Sequence, residues 1–277
     1  MAPVLGRIRI NGRSLLAGAP RQKAGDELEI LAKDANPALL PENIPLHILY
    51  ETDRLVVIDK PAKMAMYPGK KRPAGTVANA LRGLGIPLSC CEGPLRPGIV
   101  HRLDAGTSGA LLVAKDDNTH RLLVKLLSQH AIHRGYLALV HGCPDWEQFY
   151  CIDPLAAKRP GRKGMRVFSK GKSAQTIFRV IARDKKHSLI EAWPQTGRTH
   201  QIRVHLAHLG FPLVGDTLYG GGSSAVYSAA KLGIDRPALH ARRLLCEAEG
   251  IDVLAPIPED LIVAMFKAGM KIKLDSI

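Results

Sequence analysis

The sequence predicts an α+β fold: one large domain on a largely antiparallel central sheet, plus a small N-terminal β unit. Three observations carry this. Strand-like segments come in runs with helices interspersed, without the strict alternation that builds a parallel sheet. The helical segments are short and end at glycine or proline signals. A length of 277 residues with 46% hydrophobic content suffices for a full core and argues against wholesale disorder.

Residues 1–32 are expected to form the small β unit. In "GRIRING" Ile8 and Ile10 alternate with Arg7 and Arg9, and the chain turns at Asn11-Gly12; "KAGDELEIL" turns at Gly25-Asp26 and returns as a second strand. Residues 33–46 carry three prolines and little periodicity, which suits a linker, so the large domain spans residues 47–277. "LHILYETDRLVVIDKP" reads as two strands around a Glu51-Thr52-Asp53 turn, and "TVANALRGL" as a short helix capped by Thr76. "LLVAK" is a strand. The helix in "DDNTHRLLVKLLSQH" places Leu122, Leu123, Leu126 and Leu127 at helical spacing. In "IHRGYLALVHG" a strand puts Ile132, Tyr136, Ala138 and Val140 on one face and Leu137 and Leu139 on the other. "AQTIFRVIAR" and "HSLIEAWPQ" are two more strands, expected as antiparallel neighbours. "THQIRVHLAHLG" is a helix with an Ile202, Leu206, Leu209 stripe, stopped by Gly210 and Pro212. "PEDLIVAMFKAG" is another, with Glu259 and Asp260 in its first turn and Lys267 in its last. "YGGGSS" (Tyr219–Ser224) has no GK[ST] after it and reads as a surface loop, not a phosphate cradle.

Charge points to the partner. Lys+Arg is 39 against Asp+Glu 25, a formal net charge of +14. Basic residues cluster in "YPGKKRPAG", "AAKRPGRKGMR" and "GRTHQIR", which suits a groove for a polyanion. The 5 cysteines include no CxxC pair, so neither a disulfide framework nor structural zinc is expected. "MAPVLGRIRING" has no apolar signal region and no apolar run is long enough to span a bilayer. A cytoplasmic protein is expected.

Two constellations carry candidate chemistry. In "HRLDAGTSGALLVAKD", Asp104 follows His101 and Arg102 and precedes a Gly106-Thr107-Ser108-Gly109 segment and an apolar strand. An Asx-turn is the plainer reading. The sharper one is a carboxylate held at a strand end and kept ionised by a nearby arginine, as a nucleophile or base requires. In "PQTGRTHQIRVHLAHLG", Arg198 sits at the N-terminal edge of a helix, with Thr199 or a neighbour as cap. Arg203 faces away from the Ile202 stripe, toward solvent or phosphate. Among His200, His205 and His208 only the last two share a face, so a metal site is not expected. Tyr136 reads as core, or as a platform for a nucleobase beside a basic cleft.

Together these stretches resemble the pseudouridine synthases of the RluA type. "HRLDAGTSGALLVAKD" is similar to that branch's signature, "LVVIDKPAKMAMYPG" to its first motif, and "IHRGYLALVHG" to the tyrosine motif, here with His133 and Arg134 where a lysine is common. "GKSAQTIFRVIAR", "TGRTHQIRVHLAHLGFPLVGDTLYG" and "ALHARRLLCE" follow in the family's order, so the resemblance runs from His47 to the C-terminus. Residues 6–31 resemble the β part of an S4 RNA-binding module. The resemblance implies a pseudouridine-synthase-like domain that isomerises uridine in structured RNA, with ribosomal RNA favoured over tRNA and no cofactor or metal. It implies Asp104, Tyr136 and Arg198 as catalytic residues, with Arg198 opposing Asp104. His101, Arg102, Thr107, Lys172, Gln201 and Arg203 are implied as RNA-binding residues. A monomer is expected. A catalytically silent RNA-binding protein, an RNA or nucleoside N-glycosidase and, distantly, a metal hydrolase are the competing readings.

Overall fold

The protein, as a computed structural model, is described over residues 8–11, 13–14, 25–30, 39–69, 72–159, 161–220 and 222–272. The chain divides into two compact units, Met1–Leu39 and Leu40–Ile277. In the first, strands β1 (Ile8–Ile10), β2 (Arg13–Ser14) and β3 (Leu28–Ile30) form an antiparallel sheet ordered β2-β1-β3. The expected Ile8–Ile10 strand is there, and Asn11 adopts the left-handed φ of 51° at its turn. Asn11 and Asp26 tie the two turns by a side-chain hydrogen bond of 2.9 Å. Residues 33–38 of the expected linker lie outside the described residues.

The second unit is built on one sheet. Its strands are β4 (His47–Glu51), β5 (Leu55–Lys60), β6 (Ser108–Ala114), β7 (His133–His141), β8 (Gln148–Cys151), β11 (Thr176–Arg183), β12 (His187–Pro194), β13 (Leu239–Cys246) and β14 (Ile251–Leu254). Their order is β4-β5-β6-β13-β7-β12-β11-β8, with β14 paired to β13. The pairings are antiparallel except β6 with β13, which run parallel through Ser108–His240 and Gly109–Ala241. Gly109 makes that approach possible: a Cβ there would lie 2.2 Å from the Ala241 carbonyl oxygen, at a φ of 112°. A separate hairpin joins β9 (Leu155–Ala157) to β10 (Met165–Val167).

Helices α1 (Val77–Gly83), α2 (Asp117–Ser128), α3 (Gln201–His208) and α5 (Glu259–Lys267) match the expected segments. Thr76 caps α1 in a reciprocal capping box with Asn79. The end of the stretch read as a surface loop differs: Ser223 and Ser224 open a helix, α4 (Ser223–Leu232), that the sequence reading did not place. Its small residues gave no strong stripe, yet Ala229 and Leu232 pack with α5 into a buried cluster around Leu139, Leu189 and Leu261. A second cluster gathers Leu55, Val57, Leu112 and Leu123 at the β4–β6 end. A third is small: Leu155, Ala174 and Val204, with Met165 and Tyr219 packed on it, seat α3 beneath the β9–β10 hairpin.

Candidate active site

The turn that carries Asp104 is one residue set earlier than its glycines implied. Thr107 N–H donates to the Asp104 carbonyl at 3.0 Å, closing a four-residue turn, while Ser108 and Gly109 already belong to β6. Two buried cations hold this turn from below. The Lys60 side chain is fully buried, and its Nζ donates to the carbonyls of Pro61 (2.7 Å), Met64 (2.9 Å) and Ala105 (3.3 Å). Burial, and next the charge of Arg236, draws its pKa down to about 7. Arg236, itself 2% exposed, donates to the Gly106 carbonyl at 3.3 Å and is fixed by a two-pronged bridge to Asp260, at 2.6 and 2.8 Å.

Above the turn, the Asp104 carboxylate meets Arg203. Arg203 lies in α3 and donates from one terminal nitrogen to Asp104 Oδ2 at 3.2 Å. Its Nε and other terminal nitrogen grip Asp216, at 2.7 and 2.9 Å. Asp216 is fully buried, and its Oδ1 also accepts the backbone N–H of Leu218 and of Tyr219, at 3.0 and 3.2 Å. One guanidinium thus bridges two carboxylates, one buried and anchored, the other 17% exposed and facing a cleft of about 340 Å³. Tyr136, Arg134, Arg102, Arg198 and His200 line the same cleft. Its size suits a nucleoside.

The sequence reading expects Arg198 opposite Asp104; the structure places Arg203 there. Arg198 lies in the loop before α3, and its Nε is committed to the Ser173 carbonyl at 2.9 Å. Arg203, expected to reach solvent or phosphate, is 9% exposed, because it sits one helical step from Leu206 at i, i+3 and shares the buried side. That spacing was the available signal. Gln201 is also inward. Its amide oxygen accepts from Thr196 Oγ1 (2.7 Å) and Arg198 N–H (3.0 Å), and its nitrogen donates to Gln175 O (2.8 Å) and Thr176 Oγ1 (3.0 Å). All four hydrogen-bonding positions are used, so Gln201 shapes the loop and has none left for RNA.

His101 has a backbone role. Past Gly109, β6 separates from β13, and the Leu112 N–H donates to His101 Nε2 at 3.0 Å, the imidazole standing in for a missing strand. Burial pushes its pKa down to about 3, so the ring is neutral and Nδ1 carries its hydrogen. Among the described residues that nitrogen, also buried, has no hydrogen-bond partner. Thr107 is buried on the cleft wall, Arg102 is exposed at its lip, and Lys172 is exposed outside the cleft lining. Tyr136 is 7% exposed, so it belongs to the core, and it still lines the cleft; burial raises its hydroxyl pKa.

Of the two histidines in α3, His208 is exposed and His205 is structural. His205 is fully buried between Thr176 Oγ1 (2.9 Å) and the Asp153 carbonyl (3.0 Å). The sequence reading gave no site role to Lys60, Asp216, His200 or Tyr219, although all four lie in the motifs quoted for the resemblance; Lys60 also continues the Val56, Ile58 face of an apolar strand.

A sequence profile of the RNA pseudouridylate synthase family matches residues 54–208. The chain is 36% identical to the uncharacterized RNA pseudouridine synthase YlyB of Bacillus subtilis, over 92% of this chain and 84% of that protein. It is 37% identical to the ribosomal large subunit pseudouridine synthase D of Escherichia coli O157:H7, over 92% and 81%. The Xanthomonas campestris protein of the same name is 38% identical, over 91% and 80%. The fold is similar to that of human RNA pseudouridylate synthase domain containing 4, with a TM-score of 0.64 at 23% identity over 82% of this chain and 94% of that one. The ordered motifs, the shared fold and this identity along nearly the whole chain agree: the protein belongs to the RNA pseudouridine synthase family, in its RluA-type branch, and is an RNA-modifying isomerase.

Proposed function

We propose that the protein converts specific uridines of large-subunit ribosomal RNA to pseudouridine, with Asp104 as the catalytic carboxylate. The observation that supports this best is the Asp104–Arg203–Asp216 bridge opening on a nucleoside-sized cleft walled by Tyr136. The names of the bacterial relatives favour ribosomal RNA. Addition of the carboxylate to the ribose C1′ and formation of a glycal-type intermediate both use the Asp104 carboxylate, which Arg203 holds toward the cleft. The C1′–N1 bond breaks, the uracil turns over, and its C5 bonds to C1′ as the carboxylate leaves C1′ or, on the glycal route, as the C2′ proton is returned; the C5 proton is then lost and N1 ends protonated. Tyr136 stacks on the base and holds it in the cleft while it turns. A uridine in folded RNA must first be extruded, at a cost of a few kcal/mol. Arg102 at the lip is placed to fill the vacated stack, and Arg134 and Arg198 to meet the flanking phosphates.

The β9–β10 hairpin extends the basic surface. Arg159, Arg162 and Lys163 are exposed on its connection, and Lys170 and Lys172 follow it. Residues 1–32 act as a partial S4-like unit adding a further RNA contact. Among the described residues no helix is long and apolar enough to cross a membrane. We further propose a cytoplasmic location and a monomeric state. The test is to treat unmodified large-subunit ribosomal RNA and tRNA transcripts with purified protein and map pseudouridine chemically. Conversion of discrete ribosomal sites is expected. Conversion of tRNA alone would overturn the substrate, and release of free uracil would indicate a glycosidase.

A further inference from the structure

His200 is used by no step above, yet among the non-glycine residues lining the cleft it alone has a left-handed backbone. It stands at the N-terminus of α3 with φ 56° and ψ 22°, a left-handed conformation that disfavours a side chain with a Cβ. It gives no capping hydrogen bond in return. The strained backbone instead aims the imidazole into the cleft. Its Nε2 lies 3.8 Å from Asp104 Oδ2, and its Nδ1 lies 2.8 Å from the Tyr219 hydroxyl.

The direction of these bonds follows from Tyr219. Its oxygen accepts the Met165 backbone N–H at 2.8 Å. Among the described residues the other polar partner of this hydroxyl is His200 Nδ1, so the tyrosine hydrogen goes there. Nδ1 is then an acceptor, and the neutral ring carries its hydrogen on Nε2, toward Asp104. The opposite tautomer would turn a lone pair on the carboxylate. Burial keeps His200 below the usual histidine range and so in the neutral form that this pattern requires.

Met165 belongs to β10 of the basic hairpin. Tyr219 is held between that hairpin and Arg203: Lys158 Nζ is 5.3 Å and the Arg203 guanidinium 5.1 Å from its ring centre. Its ring meets His200 edge-on at 81°. A hydrogen-bonded path therefore runs from the hairpin amide through the Tyr219 hydroxyl to the His200 ring, whose Nε2 lies 3.8 Å from Asp104 Oδ2.

We infer that His200 is a positioning residue for Asp104, its Nε2–H tautomer set by Tyr219, which links the basic hairpin to the reacting carboxylate. This rests on the reading of Asp104 as the catalytic group. At 3.8 Å the His200–Asp104 contact is longer than a hydrogen bond, and the positioning role requires it to close in the RNA complex. His200 then gives Asp104 a second donor beside Arg203 and fixes which carboxylate oxygen faces the ribose.

Nitrogen-15 NMR of histidine-labelled full-length protein tests the tautomer without RNA. Hydrogen on Nε2 is expected in the wild type, and hydrogen on Nδ1 would overturn the inference. Single-turnover kinetics on an unmodified large-subunit ribosomal RNA transcript tests the link. Tyr219→Phe keeps the ring and is expected to slow conversion about tenfold, with RNA affinity within about twofold. His200→Gln supplies a fixed amide donor near the Nε2 position and is expected to stay within about threefold of wild type. Adding Tyr219→Phe to that variant should slow it no further. A wild-type rate in Tyr219→Phe, or an equal slowing in the His200→Gln background, would overturn the link. If the wild-type protein itself leaves the transcript unmodified, the substrate reading has failed, and the NMR result still decides the tautomer.

Discussion

The turn carrying Asp104 and the β9–β10 hairpin are opposites in the same unit. Around the turn, three basic side chains are buried on fixed partners: Lys60 on three carbonyls, Arg236 on Asp260 and Gly106, and Arg203 on two carboxylates. On the hairpin connection, Arg159, Arg162 and Lys163 are exposed. Buried cations with fixed partners hold a geometry, and their desolvation makes any lost partner costly. Exposed cations set affinity through counterion release and tolerate variation in the RNA. The difference divides the labour, with chemistry on the locked turn and polyanion capture on the adaptable hairpin.

The comparison can be broken most severely at Arg203. Arg203→Leu strands two carboxylates, one of them fully buried. It is expected to cut turnover by at least about 10²-fold and to destabilise the fold by about 3–5 kcal/mol, as read by single-turnover assay and urea unfolding. Lys60→Met removes the donor shared by Pro61, Met64 and Ala105. Unfolding should show a loss of about 2–3 kcal/mol, with turnover falling because the Asp104 turn loosens. An unchanged midpoint would mean that the turn is held by other contacts.

His101 sharpens the locked side through pH. Its pKa is lowered in the fold, to about 3, so the unfolded chain binds the extra proton below the ordinary value near 6.5. The stability it contributes is full above that value and declines as pH falls toward 3. His240, at about 4 through burial, acts in the same direction. His101→Leu is expected to cost about 1–3 kcal/mol at neutral pH by orphaning the Leu112 N–H, and to flatten stability against pH in the acid window. A pH profile parallel to that of the wild type would remove His101 from this role.

The smallest effect on chemistry is expected on the hairpin. Changing Arg159, Arg162 and Lys163 together to Gln should weaken RNA binding and reduce the slope of log affinity against log salt by about 2, at nearly unchanged saturated turnover. A steep loss of saturated turnover with an intact salt slope would contradict the division of labour.

Legibility in the sequence followed distance along the chain. The Asp104 turn, the Tyr136 strand and α3 are local patterns, and each was readable. The partner of Asp104 was misplaced by five residues, from Arg203 to Arg198, because the pairing spans 99 positions and depends on which side of α3 faces inward. Asp216 and Tyr219 follow a glycine-flanked segment without periodicity, and nothing there signals burial. The helix Ser223–Leu232 was hidden by small residues after a glycine run, its identity fixed by packing against α5.

The most direct test of the account is Asp104→Asn, which keeps the shape of the side chain and removes its charge. Single-turnover mapping should find no pseudouridine above background in an RNA that the wild type converts, with RNA affinity within about threefold of wild type. Pseudouridine formation by Asp104→Asn at a rate near that of the wild type would contradict it.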